Sequence, residues 1–427
     1  MKHKFGLLSV LLALMLVFSL GLVACGGTTP TAEEAAGEVE EAAGEVEEAV
    51  EEAAGEVEEA VETGAGLGME AAAVATEFFS QEDLDNSIRL MGVTPEGPEG
   101  EPWNQALEPT FIDTTQYAKE GPYTFCFSNA GVNNPWRVVG YNTMEAEVEL
   151  HPEIEEWIHV DAEGNDEKQI ADIQDLVASG NCDILIVSPN TTLALTPAVE
   201  AACEVLPVVV FDRGVQTDCP ATFVQPIGGY AFGYTGAKFL ADNLPAGANV
   251  VALRILPGVD VLETRWAAAK QVFEEEDLNV VEVQFGDGNN DKVKTILTDA
   301  IQKHGQIDGV WMDAGATAVA AIEAFEDAGV PYPVINGEDQ QDFLVKWQEE
   351  GLTAIAPTFP TFQWRTAVIA ALKVLQGEQV PDPWRLPQPA VTQENLEQFV
   401  QPGMPPLHYA MCGCETMPGF PERWGVE

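Results

Sequence analysis

The sequence predicts an α/β protein made of two doubly wound, parallel-sheet domains joined by a hinge, and three observations lead there. From residue 122 onward, short apolar runs alternate with longer amphipathic ones. The apolar runs are nearly continuous rather than alternating, as expected of strands covered by helices on both faces. There are more strand–helix units than one compact sheet holds, and the alternation breaks and restarts near residues 225–229.

Taken in order, residues 1–25 read as a signal peptide. Lys2, His3 and Lys4 form a basic head, and an apolar run follows to Leu22-Val23-Ala24-Cys25. This resembles the lipobox of bacterial lipoproteins, which implies lipidation at Cys25 and a membrane-anchored mature chain. Residues 26–63 form an acidic low-complexity tether. Its repeating Ala-Ala-Gly-Glu-Val-Glu-Glu unit holds fourteen glutamates and no basic residue within 31–63. Valines 39, 46, 50, 57 and 61 would share one helical face, whereas mutual repulsion and the glycines favour a solvated spacer. Residues 64–120 read as an N-terminal extension, with a helix starting at Ser80.

The first lobe is expected over 121–227 plus about 359–378. Its predicted strands are 123–128, 154–160, 183–188 and 206–211, and its helices 136–150, 167–179 and 193–204. The second lobe, 228–358, opens with a helix to 243. Strands 250–255, 280–285, 309–312, 334–336 and 353–356 follow, with helices at 262–276, 292–304, 317–328 and 340–350. A last helix, 362–376, precedes residues 379–427, a C-terminal extension whose Trp384, Tyr409, Phe420 and Trp424 predict packing on the lobes.

In doubly wound sheets, ligands bind beyond the carboxyl ends of the strands. Here those positions are polar: 129–134, Ser188-Pro189-Asn190, Asp212-Arg213, Asp313 and Glu338-Asp339. Two lobes presenting these loops to each other would enclose a cleft.

Several segments resemble the type 1 periplasmic binding proteins of the ribose and galactose kind. They are Ser128–Trp136 with its Asn-Pro-aromatic turn, Lys168–Leu176 leading into Cys182–Pro189, and Pro207–Arg213 ending in Asp-Arg. The order and spacing hold over about 250 residues. The resemblance implies the type 1 fold of two Rossmann-like domains and an interdomain site. It also implies ligand-binding roles for Asn134, Trp136, Asp212, Arg213, Arg265, Asp313 and Glu338. A sugar or sugar alcohol would be captured and delivered to the permease of an ABC importer; presentation of the ligand to a membrane sensor is the alternative function. Asp313-Ala314-Gly315 departs from the family's Asn-Asp, and Thr358 stands where ribose binders carry glutamine.

The chemistry suits polyols, whose hydroxyls need carboxylates to accept, arginines to donate, and an aromatic face beside the ring. With a net charge of −51, from 19 Lys and Arg against 70 Asp and Glu, a nucleic acid partner is excluded. After residue 25 the histidines are His151, His159, His304 and His408, and none lies in a catalytic or metal-spacing motif. No enzyme activity, cofactor or metal is expected, and the chain is expected to be a monomer. Residues 285–291 only partly follow a calcium loop and read as a turn capped by Asp291. Glycines 228, 229 and 233 do not form a phosphate-binding turn. Six cysteines beyond Cys25 permit fifteen pairings. Cys203 and Cys219 bracket a strand and are the candidate pair; Cys126 and Cys182 read as buried thiols, and Cys412 and Cys414 as a disulfide or free thiols.

Overall fold

A computed structural model describes residues 71–426, so Cys25, the signal segment and the acidic repeat lie outside the described residues. Among the described residues, no helix is long and apolar enough to cross a membrane. Helix α1 (Gln81–Leu90) starts where the Ser80 hydroxyl accepts from the Asp83 N–H, 3.3 Å away. After the short strand β1 (Phe111–Ile112), the first lobe alternates β2 (Tyr123–Asn129), α2 (Pro135–Glu149), β3 (Ile154–Asp161), α3 (Asp166–Ser179), β4 (Ile184–Ser188), α4 (Thr192–Cys203), β5 (Val208–Phe211) and β6 (Thr222–Pro226). The second lobe runs α5 (Gly229–Asn243), β7 (Asn249–Arg254), α6 (Asp260–Glu275), β8 (Asn279–Phe285), α7 (Asn290–His304), β9 (Gly309–Met312), α8 (Ala318–Ala328), β10 (Val334–Asn336), α9 (Gln341–Glu350) and β11 (Ala354–Pro357).

The chain then crosses back. Helix α10 (Gln363–Gln376) packs Trp364, Ala367 and Val368 into the first lobe's core. Strand β12 (Val380–Pro381) pairs antiparallel with β1, and β13 (Trp384–Leu386) lies parallel to β6. Finally β14 (Ala390–Val391) runs antiparallel to β11, and helix α11 (Leu396–Phe399) follows. The start of the segment read as an extension therefore supplies an edge strand to each sheet.

The two six-stranded sheets have orders β3-β2-β4-β5-β6-β13 and β8-β7-β9-β10-β11-β14. In each, winding reverses at the first strand, so β2 stands between β3 and β4, and β7 between β8 and β9. The expected pair of doubly wound α/β domains is thus present. Central strands are apolar throughout because both faces are covered: Ile184, Leu185, Ile186 and Val187 are all 0% exposed. Each such side chain contributes about 1.5–3 kcal/mol of burial.

The sequence reading missed β6, whose Thr-Phe-Val-Gln-Pro run lacks a strand's apolar continuity. It gains regularity from β5 and β13 on either side. Three disulfides close: Cys203–Cys219, Cys412–Cys414, and Cys126–Cys182, the last with Cα atoms 5.6 Å apart. The reading of Cys126 and Cys182 as thiols is corrected by strand order, since β2 and β4 are neighbours although α2, β3 and α3 separate them in sequence. The turn before α7 is capped by Asn289 rather than Asp291, with the Lys292 N–H donating to Asn289 Oδ1 at 2.9 Å and the Lys292 ammonium donating to Asp287 at 2.6 Å. Gly229 and Gly233 serve close packing of α5 on α6: a methyl at Gly233 would collide with the Arg265 carbonyl.

Candidate ligand-binding site

The register of β2 on β4 sets Asn129 beside Ser188, and that of β7 on β9 sets Leu253 beside Met312, bringing Arg254 and Asp313 to the same edge. Asp212 follows β5 with φ of 69°, a left-handed conformation that aspartate tolerates better than most residues. The tip of the first lobe is organised by a residue the sequence reading passed over. Arg137, on α2, is 2% exposed and donates through Nη1 to Asn129 Oδ1 (3.0 Å) and Ser188 Oγ (3.2 Å), and through Nη2 to Asp212 Oδ2 (2.5 Å). Burial brings its guanidinium down to about 10, against the opposing pull of Asp212. The signal for it was compositional, as Arg137 is the only cation between Lys119 and Lys168. Arg213 lies outside this pair: it donates to the Asn190 backbone carbonyl, and its Nε stands 3.9 Å from Asp212.

The second lobe presents a matching set. Arg265 on α6 is 4% exposed, donates to the Asp313 carbonyl oxygen, and lies 3.7 Å from Glu338 Oε1. Its guanidinium sits 3.9 Å from the Phe232 ring centroid and 4.8 Å from that of Phe359. Asp313 accepts from the Ile255 N–H at 3.1 Å and Asp339 from the Met411 N–H at 2.7 Å. Burial raises both carboxyls to about 7, with nearby arginines restraining Asp313 and the Met411 N–H restraining Asp339. Burial also raises Glu338, opposed by Arg265 and by the Tyr409 hydroxyl.

The lobes meet around these groups. The Gly214 N–H, just past β5, donates to Asp260 Oδ2 at the start of α6 (2.7 Å), and the Asp260 N–H donates to Thr192 Oγ1 (3.3 Å). Burial lowers the Arg265 guanidinium, opposed by Glu338, Asp313 and, from the other lobe, Asp212. Asp212 and Arg213 thus follow β5 on the first lobe, Asp313 and Glu338 follow β9 and β10 on the second, and Arg265 joins them from α6. Asn134 and Trp136 occupy the start of α2 instead. Asn134 is exposed, its Oδ1 accepting from the Arg137 N–H (3.0 Å) as a helix cap, and the Trp136 indole N–H donates to the Phe359 carbonyl (2.7 Å) at a lobe crossing. Thr358, at that same crossing, donates to the Pro389 carbonyl.

Several buried polar atoms of these groups and their neighbours have no hydrogen-bond partner among the described residues: Asn129 Nδ2, Arg265 Nε, Asp313 Oδ1 and Asp339 Oδ1. Two are donors and two acceptors, a set that alternating hydroxyls satisfy. A cavity of about 500 Å³ lies elsewhere, behind the hinge, lined by Leu90, Trp103, Ile227, Phe362, Pro389 and Met411 among others. It contains none of the charged residues above, and its lining is mainly apolar, with Gln105, Gln388 and Glu415 as its polar side chains. His408 stands with Cys412 and Cys414, their ligand atoms within 4.8 Å of one another, a grouping that the linear spacing of these residues does not announce. With both sulfurs in a disulfide, however, the group offers no thiolate to a metal.

The chain is similar to the ribose import binding protein RbsB of Bacillus subtilis, 28% identical over 273 residues, which is 64% of this chain and 88% of that protein. Its fold resembles an ABC transporter solute binding protein of Bacillus halodurans with bound myo-inositol (TM-score 0.61, 22% identity, 66% of this chain and 98% of the other). It also resembles a periplasmic solute binding protein of Actinobacillus succinogenes with bound D-allose (TM-score 0.58, 22% identity, 65% and 99%). Residues 125–379, more than half of the sequence, match the family described as periplasmic binding protein domain, and the chain belongs to that family.

Proposed function

We propose that this chain is the solute-binding component of an ABC importer, capturing a sugar or sugar alcohol between its lobes and delivering it to the permease. The observation that carries the reading is the facing arrangement of Arg137–Asp212 with Arg213 on one lobe and Arg265–Glu338 with Asp313 on the other, with unpartnered donors and acceptors buried among them. Charged donors and acceptors held on strand ends and helices recognise neutral polyols strongly, because each bond is charge-assisted and little ordering remains to be done. The names of the relatives support the same ligand class, as ribose, myo-inositol and allose are all polyhydroxy compounds. Closure of the lobes would be the signal a permease reads. Delivery, not conversion, is the role assigned, and it is performed outside the cytoplasm by a monomer. Lipid on Cys25 would hold the protein at the membrane, with residues 26–63 as an acidic spacer.

A thermal-shift screen of the purified protein against pentoses, hexoses and sugar alcohols tests the reading. A true ligand raises the melting temperature with concentration, by mass action. Arg213→Ala, which removes a cation outside the buried pair, should keep stability within about 1 kcal/mol and weaken binding about tenfold or more. A screen with no saturable stabiliser, or unchanged affinity in that variant, counts against it.

A further inference from the structure

The C-terminal segment lies beyond the matched family region, which ends at 379, yet it reaches the site. Around residue 409 its backbone is held to the second lobe by bonds from Gln341 N–H to the His408 carbonyl (2.8 Å), from Asp342 N–H to that of Pro406 (2.7 Å), and from the N–H groups of Ala410 and Met411 to Asp339 (2.9 and 2.7 Å). It then crosses the hinge, where the Phe362 N–H donates to the Met411 carbonyl (3.2 Å), and ends on α2, where the Trp424 indole donates to Thr143 Oγ1 (3.1 Å). Between these anchors Tyr409, 1% exposed, directs its hydroxyl at Glu338 Oε2 (2.9 Å), while Glu338 Oε1 faces Arg265 at 3.7 Å.

We propose that Tyr409 is a positioning residue for the polyol site. By holding one oxygen of Glu338, it orients the other, and with it Arg265, toward a ligand hydroxyl. The inference rests on the functional reading above. A carboxylate with one oxygen held by a phenol and the other beside a guanidinium offers few remaining directions for a hydroxyl, so it selects among epimers rather than binding all polyols alike. Since the tyrosine comes from a segment outside the family region, this selectivity would be a property of this chain's own extension.

The charged and donor groups facing Glu338 are Arg265 on α6, the Tyr409 hydroxyl on the strap and the Gly315 N–H, with Asp339 adjacent in sequence. Loss of the phenol removes a donor that favours the charged carboxylate, so the pH at which binding falls off moves upward.

The test is calorimetric titration of the full chain and of Tyr409→Phe with D-ribose, D-allose, D-fructose, L-arabinose and myo-inositol, over pH 5–8. The variant keeps the ring and its packing. The expected result is about tenfold or greater loss for the best wild-type ligand, a narrower spread of affinities across the panel, and an upward shift of the pH profile. A double-mutant comparison covers poor folding of the single variant: Tyr409→Phe should add no further loss on a Glu338→Gln background. Wild-type binding with an unchanged affinity ranking and pH profile in Tyr409→Phe, or full additivity with Glu338→Gln, overturns the role of Tyr409 alone. Absence of binding by the wild-type chain to the whole panel overturns the polyol reading and this inference with it.

Discussion

Replacing Arg137 with methionine separates the site's architecture from its ligand chemistry. The methionine fills similar volume but removes the buried cation of a pair whose side chains are 3% and 6% exposed. Three bonds are lost, to Asn129, Ser188 and Asp212, and the Asp212 carboxylate is left buried, with Arg213 3.9 Å away as its remaining cation. Breaking a buried pair from one side costs about 3–5 kcal/mol, because the abandoned charge keeps its desolvation penalty. Arg213, 3.9 Å away and engaged with the Asn190 carbonyl, is too distant to compensate fully. Replacing both partners removes that penalty, so Arg137→Met with Asp212→Leu should recover most of the loss. Urea denaturation of the ligand-free protein, followed by tryptophan fluorescence, measures both steps, and the ligand titration described above should be abolished in both variants. A cost below about 1 kcal/mol for Arg137→Met, or a double variant less stable than the single, would refute the view that this pair is buried and mutually dependent.

Other outcomes follow from the same geometry. Asp313 and Asp339 carry carboxyls raised to about 7, so the folded chain holds protons that the unfolded chain releases near pH 4. Stability of the ligand-free protein should therefore fall as pH rises from about 4 to about 7, by up to about 4 kcal/mol per group; Asp313→Asn should flatten the urea-midpoint profile over that same range, and an unaltered slope would contradict it. Loop length ranks the disulfides: replacing Cys126 and Cys182, 56 residues apart, by alanine should cost about 4 kcal/mol, and replacing Cys203 and Cys219, 16 apart, about 3, both read by denaturation. Gly233→Ala should destabilise by about 1–3 kcal/mol or more and weaken ligand binding, because α6 and its Arg265 must move away from α5.

Much of the fold is legible in the amino-acid sequence itself. Runs such as Ile184–Ser188 and Val208–Phe211 are too apolar and too short for anything but buried strands, and the amphipathic stretches between them require helices that cover a sheet. The polar residues closing those runs marked Asp212, Arg213, Asp313 and Glu338 for inspection, since strand ends are where doubly wound sheets bind ligands. These are local or periodic signals, carried by spacing along the chain.

What lay beyond reach depends on which elements become neighbours. Arg137 looks like an ordinary helix residue until β2, β4 and β5 align and set Asn129, Ser188 and Asp212 around it. Cys126 meets Cys182 only because β4 inserts beside β2, and β6 is a strand only because β5 and β13 flank it. Tyr409 reaches Glu338 across 71 residues of sequence, through a strap whose course no periodicity encodes. Periodic patterning states which face of an element is buried, whereas long-range pairing is chosen by packing and charge among all the elements at once, and the binding groups of this chain are assembled at that second level.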